Sequence, residues 1–242
     1  LSINGDSQGV YTFEEVPSKY TIERTQRKNG PIFGLDENKK GSYPAVTYEV
    51  YDEKYWVENN IEILEYVDNI LLNTKLLSAN LNFKESNTFL EQYYDLDKWA
   101  KFFALSDLFQ AYHGTVPKSV KLYYNPVTGK IEPLVYDAHI GAFHKGSFTT
   151  GTFSYNKSSD FSLIDFMLSD NPNCGFICSR DNWFKFFFND KNTLFLEKYN
   201  NHLTRFITDE FLENIENIYE TELSYMDKVF YSELSDSDDI TQ

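Results

Sequence analysis

The chain has 242 residues, of which 41% are hydrophobic and 17% aromatic, a composition that builds one substantial core and argues against intrinsic disorder. Its net charge of −15 repels phosphate backbones, so neither nucleic acid nor an anionic bilayer is expected as a partner. No apolar run approaches the roughly 20 residues that span a membrane, and no secretory leader is visible. The first residue, Leu1, lies inside a strand-like segment, so a cleaved leader or a missing subdomain is expected upstream.

In chain order, Ser2 to Glu15 (SINGDSQGVYTFEE) reads as a hairpin, with N-G-D-S-Q-G as the turn before the strand VYTFEE. Residues 20–36 read as irregular, broken at Gly30-Pro31. From Tyr55 to Leu81 the apolar positions Ile61, Leu64, Val67 and Leu71 fall at helical spacing. A second helix is expected from Asp95 to Tyr112. There Trp99, Phe102, Phe103, Leu105, Leu108, Phe109 and Tyr112 cover most of the circumference, as in a helix buried on nearly every side.

The clearest local signal follows: SVKLYY as a strand, NPVTG as a turn and KIEPLVYD as the returning strand. Pro126 presets its own φ early in the turn, and Gly129 can take the positive φ that closes it. This hairpin carries Asp137 to the end of its second strand. The Gly-, Ser-, Thr- and Asn-rich residues 138–159 read as a long surface loop. Cys174 and Cys178 read as two buried small residues or as a local disulfide, the latter fitting an extracytoplasmic compartment. The remainder is helical, with Thr208 as an N-cap and Phe211, Ile215, Ile218 and Met226 on one face of a long last helix. Neither an internal repeat nor a linker is visible. The expectation is one α+β domain over residues 1–235, its N-terminal β part incomplete and its C-terminal part helical, followed by an acidic tail at 236–242.

The stretches LDKWAKFFALSDLFQAYHG and KLYYNPVTGKIEPLVYD resemble the core of the spore-coat-protein-H (CotH) kinase family. GVYTFEE and IERTQRKNGPIFGLDE are similar to its N-terminal motifs, and NWFKFFFNDKNTLFLEKYNNHL with FITDEFLENIENIYETEL is loosely similar to its C-terminal part. The resemblance implies an atypical protein-kinase-like fold that transfers the γ-phosphate of ATP, with Mg2+ or Mn2+, to Ser or Thr of secreted or coat proteins. An extracytoplasmic location is implied with it.

Phosphoryl transfer needs a carboxylate to hold a metal ion, charge to offset the phosphates and a group that orients the attacking hydroxyl. The family pattern sets the metal-binding carboxylate at Asp137; otherwise Asp137 is a strand-end residue capping the next turn. His113 falls in the family's catalytic loop, where active members carry Asp. It can act as a base near the hydroxyl or be a core histidine. Ser119 stands where the family often has Asn, as a weaker metal ligand or a plain strand-edge serine. Glu15, Arg24 and Arg27 come from the N-terminal motifs as candidate nucleotide-binding residues, the arginines clamping phosphate or joining a surface ion-pair network. The family's Gly-rich loop and phosphate-binding Lys are not visible, and would lie upstream of Leu1. A transition-metal site from Asp137, His139, His144 and His113 is a competing reading. Two other classes stay open: a degenerate, non-catalytic module of coat or surface, and a surface adhesive protein.

Overall fold

The computed structural model describes residues 2–7, 14–35, 48–80, 83–109, 111–115, 119–138, 186–189 and 191–235. The elements are β1 (Ser2–Ile3), β2 (Asp6–Ser7), α1 (Lys19–Arg24), β3 (Ile32–Leu35), β4 (Tyr48–Val50), α2 (Glu53–Asn80), α3 (Phe83–Tyr93) and α4 (Leu96–Leu108). A 3-10 turn (Tyr112–Thr115) follows, then β5 (Lys121–Asn125), β6 (Lys130–Leu134), α5 (Thr193–Phe206) and α6 (Asp209–Ser235). Helices thus dominate a small antiparallel sheet of order β4-β3-β5-β6, in keeping with the α+β class. By contacts the chain divides into two units, one drawn from Leu1–Glu14 with Thr204–Gln242 and the other from Glu15–Leu203.

In the first unit β1 pairs with β2 through a turn at Asn4 and Gly5, whose φ values of 54° and 93° are those of a two-residue Asn-Gly turn. The turn is therefore tighter than the six residues expected, and residues 8–13, which include the first four of VYTFEE, lie outside the described residues. Thr208 caps α6 as expected, its Oγ1 accepting from Phe211 N at 3.3 Å. Along that helix Phe211 and Ile215 are partly buried, whereas Ile218 and Met226 are exposed.

The second unit holds the sheet. The β5–β6 hairpin forms where the sequence places it, with Gly129 at φ +70° and its N–H donating to Asn125 O at 2.8 Å. Residues 20–35 are not irregular throughout, since α1 and β3 take up both ends of the span. Ser18 N–H donates to Thr21 Oγ1 at 3.2 Å at the start of α1, and α1 exists to bury Ile22 against Ile32, Tyr123 and Leu134. Beyond Gly30-Pro31 the chain enters β3, whose apolar run is too short to show a period. In α2, Asn60 leaves helical backbone (φ −159°, ψ 51°), and the kink shifts the phase of the apolar face. Trp56, Leu64, Val67, Ile70 and Leu71 are buried while Ile61, directly after the kink, is exposed. The polar-rich α3 is not evident from the sequence; it buries Leu90 and Ser86, and Asn87 Nδ2 donates to Lys191 O at 2.8 Å.

α4 begins where Asp95 accepts from Lys98 N at 3.2 Å, an N-cap. Its first turn is tied to the sheet twice over, by Asp95 N–H and Trp99 Nε1–H donating to Ile131 O at 3.1 and 3.0 Å. Trp99, Phe102 and Phe103 are buried, and Trp99 stacks on Phe187 at 5.0 Å between ring centres. Phe109, expected inside, is exposed because α4 ends at Leu108. Tyr199 on α5 donates to Asp107 on α4 at 2.5 Å, both buried.

In the middle of β6, Glu132 has no access to water. Lys98 Nζ lies 2.7 Å from its Oε1, Arg27 Nη1 3.3 Å from its Oε2, and Asn125 Nδ2 donates to Oε1 at 2.7 Å. Burial draws the Lys98 ammonium down, but the hydrogen bond and charge of Glu132, with those of Asp95, outweigh it and hold Lys98 above its ordinary value. Burial, reinforced by the charge of Glu132 and opposed by Arg27, pushes the Tyr123 hydroxyl up to about 12. One carboxylate thus joins the loop after α1, the start of α4 and the hairpin. Glu132→Gln removes the charge that two cations face. Because Lys98 and Arg27 keep 45% and 24% of their side-chain exposure, they regain some hydration. The expected loss is at the low end for a broken buried pair, about 3 kcal/mol, measured by denaturant unfolding. An unchanged midpoint would show that the network is dispensable.

Candidate functional site

Three short segments converge at the end of the sheet where β5 begins and β6 ends. Asp137 lies beyond β6 rather than at its end, because the strand stops at Leu134. Its backbone takes φ +52°, a left-handed conformation that Asp tolerates better than most side chains. Ser119, just before β5, is buried, and its Oγ donates to Asp137 Oδ2 at 3.1 Å. The two residues expected at a metal thus touch each other.

The 3-10 turn carrying His113 reaches the same place. Gly114 is buried, and a Cβ on it would stand 2.9 Å from Ala138 Cβ and 3.4 Å from Tyr136 O. Only glycine permits so close an approach. The backbone beside His113 therefore lies directly against residues 136–138, on either side of Asp137. The His113 side chain lies outside the described residues, as do His139, His144, Cys174 and Cys178.

The N-terminal candidates are engaged elsewhere. Arg24 pairs with Glu15 at 2.5 Å on the surface, and Glu15 also accepts from Thr21 Oγ1 at 3.1 Å. Arg27 pairs with Glu132, and its guanidinium lies 5.0 Å from the centre of the Tyr123 ring. Both forks meet carboxylates of the chain, the ion-pair alternative that the sequence leaves open.

A further cation was not singled out from the sequence. Lys121, on β5, is 2% exposed. Its Nζ lies 5.5 Å from the Tyr51 ring centre and 5.3 Å from that of Tyr136, the neighbour of Asp137. Lys121 reads as a solvent-facing strand residue until the register is known.

The family model described as CotH kinase protein matches residues 1–233 of the chain. The chain belongs to the CotH kinase family. A search among curated proteins finds no match. Membership of a kinase family suggests use of ATP and a divalent cation. Asp137 and Ser119 set a carboxylate and a hydroxyl side by side, oxygen donors of the kind a hard cation takes, and among the described residues no group of three or more His, Cys, Asp or Glu could hold a metal. Among the described residues no helix is long and apolar enough to cross a membrane.

The Gly114 contact is directly testable. Gly114→Ala is expected to lose about 1–3 kcal/mol of stability by overpacking against Ala138. Ala138→Gly in the same chain is expected to restore part of that loss in denaturant unfolding. Strictly additive losses would mean that the two backbones are not in contact.

Proposed function

We propose that this CotH-family chain is an atypical protein kinase, with a protein-kinase-like fold, that transfers the γ-phosphate of ATP to Ser or Thr of a secreted, surface or coat protein. The observation that carries the reading is the convergence at one end of the sheet. Ser119 bonds Asp137, and the His113–Gly114 backbone packs against the segment that contains Asp137. Phosphoryl transfer needs metal ligand and hydroxyl-orienting group side by side, and the packing of the Gly114 backbone against residues 136–138 supports that reading.

In this reading Asp137 and Ser119 hold the divalent cation, Asp137 through its carboxylate and Ser119 by fixing that carboxylate's direction. The cation, when bound, offsets the charge of the phosphates. His113 accepts the proton of the attacking hydroxyl when its imidazole is neutral. The left-handed backbone at Asp137 and the close packing at Gly114 preorganise the two segments, so little rearrangement is left to ligand binding. Arg24 and Arg27 serve the fold in this account, because their partners are carboxylates of the chain. That engagement equally favours a second reading, a CotH-like domain that keeps the fold as a non-catalytic coat or surface module. Location outside the cytoplasm follows from the family's substrates and belongs to both readings.

Calorimetric titration separates the two. The kinase reading predicts ATP binding that requires Mg2+ or Mn2+. Asp137→Asn keeps the side chain's shape and its tolerance of positive φ, and is expected to weaken binding at least ~10-fold, about 1.4 kcal/mol. Metal-independent binding, or affinity unchanged by Asp137→Asn, would contradict the assignment of Asp137. Absence of any binding would favour the non-catalytic module.

A further inference from the structure

The last helix carries an apolar stripe that stays open to solvent. Leu212, Ile215, Tyr219, Leu223 and Met226 follow one another along α6 in steps of three and four residues, the spacing that aligns one face of a helix. Ile218 and Tyr225 widen the stripe along one edge. Only the beginning of this side of the helix is covered. Phe211 packs on Phe206 with ring centres 4.8 Å apart, and Ile215 is half-buried. From Glu216 to Lys228 every residue is exposed, Ile218 and Tyr225 by 69% each. A helix in a folded protein draws most of its stability from packing such a face, and a contiguous exposed apolar surface marks an interaction site.

The charges beside the stripe specify what covers it. Glu213, Glu216, Glu220 and Asp227 form a row along the edge away from Ile218 and Tyr225, and Glu222 stands between Ile218 and Met226. Between Asp209 and Lys228 the sequence holds seven Asp and Glu against one Lys. A second copy of the chain would bring the same carboxylates and a further charge of −15 to the contact. Like charges along an apolar seam select against such a pairing. An anionic bilayer is opposed on the same ground. The complement is a helix with an apolar stripe of its own and a row of Lys or Arg beside it.

We propose that the exposed face of α6 is a docking surface for a basic amphipathic helix of a partner protein. The apolar stripe of that helix packs on Tyr219, Leu223 and Met226, and its cations meet Glu216, Glu220 and Asp227. The apolar contact supplies the affinity, while the acidic row sets the choice of partner and speeds the encounter. Docking here is independent of phosphoryl transfer and holds for the kinase and the non-catalytic module alike.

The test titrates the full chain into a fluorescent synthetic peptide of about 20 residues, long enough to cover the exposed turns, that sets a leucine stripe beside a row of lysines. Two controls are the same composition in scrambled order and the same stripe with glutamates for lysines. The leucine–lysine peptide is expected to bind at least ~10-fold more tightly than either control, and Leu223→Asp to remove at least that factor. Glu216→Lys combined with Glu220→Lys is expected to weaken binding more at low salt than at high salt. Leu72→Asp, which alters an equally exposed leucine of α2, is expected to leave it unchanged. Because both leucines are exposed, neither substitution opens the core. Equal binding of the scrambled peptide, or an equal loss in Leu72→Asp, would mean that no specific stripe is read and would overturn the proposal. Failure of the leucine–lysine peptide to bind would overturn it as well. A dimer in sedimentation velocity that Leu223→Asp dissociates would assign the stripe to a second copy and so contradict a basic partner.

Discussion

A carboxylate without access to water, Glu132 in the middle of β6, is the constraint on which the sheet-bearing unit depends. A buried charge of this kind survives only when its partners are close and well aligned. The partners come from three places: Arg27 after α1, Lys98 in the first turn of α4 and Asn125 at the end of β5. Each of those segments is thereby fixed against the hairpin. The bonds from Asp95 N–H and Trp99 Nε1 to Ile131 O add a second anchor for α4, next to Glu132 on the same strand. With α4 seated, Trp99 and Phe103 are placed to receive Phe187 and Phe195.

The hairpin was legible because its signals are local. Pro126, Gly129 and two apolar runs determine it without help from the rest of the chain. The same holds for the Thr208 cap and, apart from its kink, for α2. α1 and β3 were not legible. Six residues of helix and four of strand carry too little pattern, and they form because Ile22 and Ile32 find Tyr123 and Leu134 far along the chain. Ile61 was misplaced because the Asn60 kink breaks the helical phase, a backbone event with no clear mark in the composition.

The candidate site divides in the same way. Asp137, Ser119 and His113 stand out by residue type and by their likeness to a family pattern, and the fold brings the segments that carry them together. The closeness itself was hidden. It depends on Gly114, which reads in sequence as an ordinary turn glycine and in the structure leaves no room for a Cβ beside Ala138. Lys121 was hidden for a related reason. A lysine in a strand is expected to face water, and only the register that sets it across from Gly34 shows where its side chain goes. Glu132 was the hardest to find, because a glutamate before a proline looks like surface, whereas its two cationic partners, Arg27 and Lys98, come from distant segments.

The chain is thus a member of the CotH kinase family in which a buried ion network shapes a hairpin, and the hairpin presents a carboxylate–hydroxyl pair beside a glycine-packed turn. In the kinase reading this end of the sheet holds the metal–nucleotide complex. A crystal structure of the chain with Mg2+ and a non-hydrolysable ATP analogue tests it most directly. The expected result is a metal ion about 2.0–2.1 Å from an Asp137 carboxylate oxygen, the octahedral Mg2+ distance. A nucleotide seated on other residues, with Asp137 still bonded only within the protein, would contradict it.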